Sequence, residues 1–416
     1  MKKIRMFLSL LLVVALCSCM FGCSQNEGAQ KPDQKTEEQQ ILEQRRDAVE
    51  KHMRDMLTVL WRPKENINHT ITGTSGQMKI VAGRLYRGVP YAYACGTKES
   101  FLEYAGEPDD NGVYTISGLP GVALDGGIAY ARIGSDCSSA ITTAWSTVST
   151  SLTGTRSFTM FQDYGVIPVG DYKFDVTIDQ KKNLITDTAS VINANGISVM
   201  YEAYAKLQKG DAVFYVVKSD NHSRMIVDTN VVYADDGTID GKKSTVTVLQ
   251  QTRINFQKEI TVEDPRVNET VYIIGGVDDV YSFDELATEG YLPVTIKELV
   301  DPSPVDALVV TDSETVFNKD TLFAGTISSN MFIDCVTVTV TDSQGKTVQK
   351  ATARVTRQSN KEFEMKKLQR DGLDNVSAVL GHFDPATLPQ GTYRCTTVCR
   401  LTTGQEFTVR TYDFTV

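Results

Sequence analysis

The most constraining feature of the 416-residue chain is the segment 335–341, in which Val and Thr alternate with a period of two after Cys335. Such alternation is typical of a strand with one buried face, because successive side chains of a strand point to opposite sides. A turn sequence (Asp-Ser-Gln-Gly) follows, and residues 348–356 predict the returning strand. Further short strands at 391–395 and 407–412 predict an antiparallel β-sandwich at this end of the chain.

Two prolines, Pro302 and Pro304, separate this region from a different pattern upstream. Apolar residues in 41–61 recur at helical spacing and predict an amphipathic helix, and short strands then mix with helical stretches, which is an α+β pattern. The length allows two domains, and the composition, 41% hydrophobic and 23% charged, is that of a folded chain. We therefore predict a first domain at 41–300 and an all-β domain at 301–416.

Residues 1–22 have the pattern of a bacterial lipoprotein signal peptide. Basic residues precede an apolar run that is too short to cross a hydrocarbon core of about 30 Å. Cys19 and Cys23 each follow a small residue, and the polar sequence after Cys23 favours it as the lipid-bearing residue. Residues 23–40 are rich in Gln, Glu and Lys and predict a disordered tether. The chain is thus expected to be lipid-anchored in the bacterial cell envelope, outside the cytoplasm.

Charge and cysteine positions limit the partners. The chain has 42 Lys and Arg against 52 Asp and Glu, a formal charge of −10, whereas nucleic-acid binding needs a basic surface, so no nucleic-acid partner is expected. No residue spacing typical of a zinc site occurs, and neither a metal nor an organic cofactor is predicted. Export permits disulfides: Cys335 can pair with Cys395 or Cys399, and three free buried thiols are the alternative.

The residues around Cys137 have the composition of a helix N-terminus. Asp136, Ser138 and Ser139 favour that position, and apolar residues follow at helical spacing. A thiol there meets unpaired main-chain N–H groups and the positive end of the helix dipole, which favour the thiolate and lower the pKa of the thiol. Cys137 is therefore a candidate nucleophile, against the alternatives of an inert core cysteine or a disulfide with Cys95.

His222 is the candidate base. A nucleophilic thiol needs a proton acceptor within hydrogen-bonding reach. His222 begins a predicted strand in the same predicted domain as Cys137, whereas His52 lies on the leading helix, His69 in a loop and His382 in the predicted sandwich.

Four segments occur in an order that matches a known family: 88–91 (Gly-Val-Pro-Tyr), 136–139 (Asp-Cys-Ser-Ser), 207–214 (Leu-Gln-Lys-Gly-Asp-Ala-Val-Phe) and 222–227 (His-Ser-Arg-Met-Ile-Val). Together they resemble the NlpC/P60 family of papain-like cysteine peptidases, which cleave bacterial cell-wall peptides, often between D-glutamate and a diamino acid. The resemblance covers roughly residues 78–290 and implies a papain-like catalytic domain.

The resemblance also implies roles. Cys137 attacks the amide carbonyl, and His222 accepts the thiol proton and returns it to the leaving amine. Tyr91 lies near the sulfur, Asp136 meets a free amine of the peptide, and Ser138 contacts the substrate. The main-chain N–H of Cys137 is expected to stabilise the oxyanion.

A third polar residue on the following strand orients the imidazole in this family. Gln250 and Gln251 both lie on that strand and face opposite sides of the sheet, so only one of them can reach His222. We predict Gln251, because some exported relatives have Glu-Gln-Thr at this place. The long separations between the motifs predict insertions at about 97–132 and 156–200 that form loops at the rim of the cleft.

The C-terminal region carries a second resemblance. Residues 388–393 (Leu-Pro-Gln-Gly-Thr-Tyr) and the final Phe-Thr-Val are similar to the end of many bacterial immunoglobulin-like modules. Such a domain binds a wall polymer or another envelope protein, or only positions the enzyme; the fold does not decide between these roles.

The predicted function is a lipid-anchored cysteine hydrolase that acts on peptidoglycan peptides. A rival from another class is a non-catalytic envelope-binding lipoprotein on a decayed hydrolase scaffold, supported by Ser139, Ser223 and Arg224, which differ from the family's usual residues. An amidase or a transpeptidase would use the same Cys137–His222 pair on another substrate.

Overall fold

The structure is a computed structural model that describes residues 35–416 except 71–76, 92–95, 118–120, 125–126, 131–133, 154–164, 175–177, 180–183, 186, 218–219, 253–259, 312–322, 356–360, 370–376 and 383. The predicted signal peptide, most of the predicted tether and both lipidation candidates lie outside the described residues, as does Cys95. Helices and strands are mixed along the chain, so the predicted α+β class is confirmed.

The helices are α1 (Glu37–Thr58), α2 (Lys98–Leu102), α3 (Cys137–Ser146), α4 (Thr188–Asn195), α5 (Ile197–Tyr204) and α6 (Phe283–Glu289). The strands before residue 300 are β1 (Leu60–Pro63), β2 (Ile67–Thr70), β3 (Gln77–Ile80), β4 (Tyr86–Arg87), β5 (Val113–Ile116), β6 (Gly121–Leu124), β7 (Gly127–Tyr130), β8 (Val166–Pro168), β9 (Ile178–Asp179), β10 (Leu184–Ile185), β11 (Ala212–Val217), β12 (Asp220–Asn230), β13 (Thr245–Gln250), β14 (Thr261–Asp264), β15 (Glu269–Ile273), β16 (Gly276–Ser282) and β17 (Leu292–Ile296). The later strands are β18 (Val309–Thr311), β19 (Thr326–Ser329), β20 (Ile333–Thr341), β21 (Thr347–Val355), β22 (Glu362–Glu364), β23 (Ser377–His382), β24 (Thr392–Leu401) and β25 (Glu406–Thr415).

Helix α1 begins at Glu37, four residues before the predicted start at Ile41. Thr36 and Gln39 form a reciprocal capping box, which satisfies two main-chain N–H groups at the helix N-terminus. The two acidic residues of the first turn also favour this end of the helix dipole. The tether predicted for 23–40 is therefore wrong for its last four residues, which are helical.

A six-stranded antiparallel sheet, the central sheet, has the order β16-β13-β12-β11-β17-β8. Strand β12 contains the predicted strand that starts at His222, and Met225 of β12 pairs with Leu249 of β13. Helix α3 contacts β12, and α1 contacts α3. The helix that begins at Cys137 is thereby held against the strand that carries His222.

A second sheet of mixed direction has the order β14-β15-β4-β1-β5, in which β5 pairs with β1 in parallel. Strand β5 belongs to the region 97–132, which was expected to form loops, and it buries Val113 and Ile116. The region 156–200 likewise contains α4 and β8. The expectation of loops is wrong for both regions, because each supplies apolar side chains to the interior.

Arg46 of α1 and Asp211, the acidic residue of the Gly-Asp turn before β11, form a buried ion pair of 2.9 Å. The guanidinium of Arg46 also donates to the carbonyls of Lys209 (2.6 Å) and Leu299 (2.8 Å). Thr295 donates its hydroxyl hydrogen to Asp211 at 2.6 Å. Asp211, which belongs to the segment 207–214 of the family resemblance, thus attaches α1 to the central sheet.

After residue 300, a five-stranded antiparallel sheet has the order β23-β21-β20-β24-β25, and a three-stranded sheet has the order β18-β19-β22. Strands β20 and β21 confirm the predicted hairpin. Cys335, Cys395 and Cys399 are buried free thiols, so the structure has the alternative in which they do not pair. Cys395 and Cys399 contribute to a cluster of buried apolar residues that is separate from the larger cluster around α1, α3 and the central sheet.

The two parts of the chain are in contact. Phe332, just before β20, is buried in the larger apolar cluster of the first part. Arg354 of β21 binds the carboxylates of Glu103 and Asp334. Thr402 donates its hydroxyl hydrogen to the carbonyl of Ser146, at the end of α3, at 3.1 Å. These contacts fix residues 301–416 against the far end of the helix that carries Cys137.

No helix among the described residues is long and apolar enough to cross a membrane.

Candidate active site

Helix α3 begins at Cys137, as predicted, and Asp136 is its N-cap. The carboxylate Oδ1 of Asp136 accepts hydrogen bonds from the main-chain N–H of Ser139 (2.8 Å) and from the hydroxyl of Ser138 (2.9 Å). Burial raises the pKa of Asp136, against these hydrogen bonds, which lower it. The acidic residue that was expected to meet a substrate amine is therefore first of all the residue that starts the helix.

The sulfur of Cys137 is a free thiol, only 3% of the residue being exposed, and Cys95, its alternative disulfide partner, lies outside the described residues. The hydroxyl of Tyr91 and the main-chain N–H of Ser223 make hydrogen-bonding contacts with the sulfur. Tyr91 is placed by a β-bridge to Ser135, two residues before Cys137. The expectation that Tyr91 lies near the sulfur is confirmed.

Gln250 contacts the imidazole of His222, with 2.8 Å between Nε2 of His222 and Oε1 of Gln250. The same oxygen accepts a hydrogen bond from Nε of Arg224 at 3.2 Å. The amide nitrogen of Gln250 donates to Asp279 Oδ2 at 2.6 Å and to the hydroxyl of Tyr281 at 3.0 Å. Arg224 can only donate a hydrogen bond, and the carboxylate of Asp279 can only accept one. The amide of Gln250 therefore has one orientation, with its oxygen toward Arg224 and His222.

This orientation decides the tautomer of His222. Because the partner of Nε2 is a carbonyl oxygen, which only accepts, Nε2 must carry the hydrogen. The other ring nitrogen, Nδ1, then has the free lone pair. His222 is thus held in the form in which Nδ1 can accept a proton.

Gln251 does not contact His222, and its predicted role is wrong. Its side chain is fully buried and donates to the main-chain carbonyls of Val89 (2.9 Å) and Pro90 (3.2 Å). The strand register explains the difference: Met225 pairs with Leu249, so the next residue, Gln250, lies beside Arg224 and on the sheet face that His222 shares. Gln251 faces the opposite side and supports the segment that leads to Tyr91.

The protonation of the thiol differs from the expectation at a helix N-terminus. Burial, followed by the nearby carboxylate of Asp136, raises the pKa of Cys137 to about 12, and the contacts with Ser223 and Tyr91 lower it only in part. Burial lowers the pKa of His222 to about 4, although the hydrogen bond to Gln250 opposes this. Between the described side chains of Cys137 and His222 the structure has no hydrogen bond. Both groups are therefore neutral near pH 7, and the thiolate has to be formed during the reaction.

The rate at which iodoacetamide alkylates Cys137 is expected to be low at pH 7 and to rise about tenfold per pH unit, because the thiolate fraction grows in that proportion below the thiol pKa. The rate can be followed by mass spectrometry of the peptide that contains Cys137. A constant rate between about pH 6 and pH 9 would instead show a preformed thiolate–imidazolium pair and contradict the neutral state.

For a reaction that uses Cys137 as nucleophile and His222 as base, replacing Gln250 by Leu is expected to lower kcat by about 100-fold, because the imidazole loses the partner that sets its tautomer and orientation. Gln251→Leu is the matched control: it removes hydrogen bonds to Val89 and Pro90 and lowers stability, but leaves kcat within a few-fold. Gln250→Glu keeps an acceptor and adds a negative charge, so the acid limb of the pH profile should move above the pKa of about 4 that His222 has here. Equal losses of kcat in the two Leu variants would rule out the assigned positioning role.

Arg224 was noted in the sequence only as a departure from the family pattern. Its guanidinium lies between the rings of Tyr281 and Tyr291, 3.7 and 4.3 Å from their centroids, and pairs with Glu289 at 3.2 Å. Through Nε it also fixes the carbonyl oxygen of Gln250. The position of Arg224 two residues after His222 could have indicated that it belongs to the site, because residues two apart on a strand have their side chains on one face.

The described site combines a thiol at a helix N-terminus with an imidazole held by an amide, the groups that a thiol-based acyl-transfer enzyme uses. No protein-family model matches the chain, and no curated protein matches it either. The geometry around Cys137 therefore carries the functional interpretation.

Proposed function

We propose that the chain is a cysteine hydrolase that cleaves amide bonds in bacterial peptidoglycan stem peptides, as a D-glutamyl-diamino acid endopeptidase with a papain-like, NlpC/P60-type catalytic domain. The observation that carries the proposal is that two segments distant in the chain, through Tyr91 and the main chain of Ser223, contact the sulfur of Cys137, while His222, next to Ser223, is held by Gln250. An inert core cysteine does not require an imidazole fixed in its base tautomer.

In the first step Sγ of Cys137 bonds to the carbonyl carbon of the scissile amide, and the thiol proton passes to Nδ1 of His222. The carbonyl π electrons move to oxygen, and the oxyanion is stabilised by the main-chain N–H of Cys137 at the start of α3. The hydrogen bond from Nε2 to Gln250 supports the imidazolium that forms. Since thiol and imidazole are both neutral at rest, a bound substrate has to bring them together.

In the second half the C–N bond breaks, the leaving amine takes the proton from His222, and a thioester remains on Cys137. Water then gives a proton to His222 and its oxygen attacks the thioester carbonyl. The C–S bond breaks, the thiol regains its proton, and a carboxylic acid leaves. The reaction needs neither metal nor organic cofactor. Asp136 and Ser138, at the start of α3, are proposed to contact the peptide. The carboxylate of Asp136 would bind the free amine of the peptide.

The proposal extends to the rest of the chain. Cys23 would carry the lipid that anchors the protein to the membrane on the extracytoplasmic side of the bacterial cell. Residues 301–416 would form an immunoglobulin-like sandwich, which is supported by the two antiparallel sheets described above. This domain would bind a wall polymer or an envelope protein, or position the enzyme at the wall.

One observation favours the non-catalytic rival. The thiol of Cys137 is almost fully buried and its pKa is raised to about 12, so a resting thiolate is not available. In an envelope-binding protein on a decayed hydrolase scaffold the cysteine would keep this state permanently.

Incubation of the purified protein with peptidoglycan fragments, followed by mass spectrometry, separates the two functions. The hydrolase proposal predicts new fragments whose masses differ by cleavage between D-glutamate and the diamino acid. Fragments cut at another amide would identify an amidase or endopeptidase of different specificity. No cleavage across several wall chemistries, with no alkylation of Cys137 by iodoacetamide even at pH 9, would contradict the hydrolase and favour the binding protein.

A further inference from the structure

The amide of Gln250, which holds His222, is itself held by strand β16 at the edge of the central sheet. Its Nε2 donates to Oδ2 of Asp279 at 2.6 Å and to the hydroxyl of Tyr281 at 3.0 Å. Among the described residues, the carboxylate of Asp279 accepts no other hydrogen bond and forms no ion pair. The polar contact of Asp279 is therefore with the residue that contacts the imidazole.

Strand β16 reaches this position through a β-bulge. Val248 of β13 pairs with Asp279, so a regular antiparallel ladder would pair Gln250 with Val277. Gln250 pairs instead with Gly276, because β16 has one additional residue between the two pairs. The bulge thus places a residue without a side chain opposite Gln250.

The carboxylate of Asp279 occupies the space that this arrangement leaves. A Cβ atom at Gly276 would collide with Oδ2 of Asp279 and would lie 2.9 Å from Cγ of Gln250. A side chain at position 276 would therefore displace the carboxylate from the amide of Gln250.

Helix α1 contacts the bulge directly. Asp278, the additional residue, has a φ of 60°, in the left-handed region that a non-glycine residue seldom adopts. Such a residue persists where its surroundings fix it. The carboxylate of Asp278 accepts hydrogen bonds from both Nη atoms of Arg54, at 2.9 and 2.8 Å. This contact attaches to α1 the bulge that places Asp279 beside Gln250.

We infer that Asp279 is a positioning residue of the candidate active site, which holds the amide of Gln250 so that its oxygen faces His222. The catalytic meaning of this role rests on the proposed function. Arg224 contacts the oxygen end of the amide at 3.2 Å, and Asp279 contacts the nitrogen end at 2.6 Å. Hydrogen bonds to an ionised carboxylate are short and strong. Removal of the carboxylate should therefore let the amide rotate.

NMR spectroscopy of the imidazole nitrogens tests the inference without a substrate. The unmodified protein is expected to show the Nε2–H tautomer of His222. Asp279→Ala should add the signals of the Nδ1–H tautomer, because the hydrogen bond at one ring nitrogen selects the tautomer and a rotating amide no longer does so. Gly276→Ala, which keeps the carboxylate but displaces it, should have the same effect. Asp279→Asn, which keeps an acceptor oxygen, should retain the original tautomer.

Kinetics on peptidoglycan fragments give a second measurement. Asp279→Ala and Gly276→Ala should each lower kcat about tenfold with little change in KM, since the geometry of the base changes and peptide binding does not. Asp279→Asn should stay within a few-fold of the unmodified protein. Asp228→Ala is the matched control: it removes an exposed carboxylate from β12 of the same sheet and should alter neither the tautomer nor kcat.

An unchanged imidazole in Asp279→Ala, or an equal effect of Asp228→Ala, would overturn the positioning role. If Asp279→Ala does not fold, Gly276→Ala gives the same decision. The expected change of tautomer, without cleavage by the unmodified protein, would support the positioning role and contradict the proposed function. Cleavage by the unmodified protein, with the imidazole unchanged in Asp279→Ala, would support the proposed function and overturn the positioning role.

Discussion

Replacing Cys137 by Ala is expected to reduce kcat/KM on peptidoglycan fragments by about 10⁴-fold or more, because no other group in the site can form the covalent intermediate. The side chain shrinks by one sulfur atom at the start of α3, and the helix keeps its Asp136 cap, so the melting temperature should change by only a few degrees. Fragment release measured by mass spectrometry and thermal unfolding followed by circular dichroism give the two quantities.

Cys399→Ala is the matched control for this variant. Cys399 is also a buried free thiol, but it lies in β24, far along the chain from the candidate site. The Cys399→Ala variant should lose some stability and, once folded, keep its hydrolase activity. Hydrolysis that persists in Cys137→Ala would refute the nucleophile, and hydrolysis lost equally in both variants would mean that the thiol acts only through folding.

Replacing Arg46 by Met is expected to lower the free energy of unfolding by about 3–5 kcal/mol, because it leaves the carboxylate of Asp211 buried without its counter-charge. Both side chains of the pair are nearly inaccessible, at 9% and 3% exposure, so water cannot take the place of the guanidinium. The variant also leaves the carbonyls of Lys209 and Leu299 without their donors. Urea unfolding gives the free energy.

Arg54→Met on the same helix is the control for the charge itself. Arg54 pairs with Glu50 and Asp278, but its side chain is 30% exposed, so its ion pairs are screened by solvent and their loss should cost at most about 1 kcal/mol. If Arg46→Met were no more destabilising than Arg54→Met, Asp211 would not be the buried anchor of α1.

Local patterns in the sequence were sufficient for several elements. The Val and Thr alternation gave the β20–β21 hairpin, since the period of two and the turn residues leave few other structures. Asp136 and the apolar residues after it predicted the start of α3 at Cys137 because the signals of a helix cap are local. The resemblance of the motifs to the NlpC/P60 family implied that Tyr91 would lie near the sulfur of Cys137, and its hydroxyl contacts that sulfur.

Features that depend on tertiary contacts could not be obtained in this way. The choice between Gln250 and Gln251 is set by the register of β13 against β12, which a single residue of slippage reverses. The pKa of Cys137 depends on how deeply the helix end is buried, and burial outweighs the effect of the helix dipole. The start of α1 was missed because its first turn is polar, although Thr36 and Gln39 have the spacing of a capping box.

The contacts between residues 301–416 and the rest of the chain have a consequence for unfolding. Phe332 is part of the first apolar cluster, Arg354 shares its charge with Glu103, and Thr402 binds the last residue of α3. If either part melted alone, it would expose apolar surface and leave a buried guanidinium without one of its carboxylates. Heating should therefore melt the two parts in a single cooperative transition, and a chain cut at residue 300 should melt at a lower temperature than the intact protein.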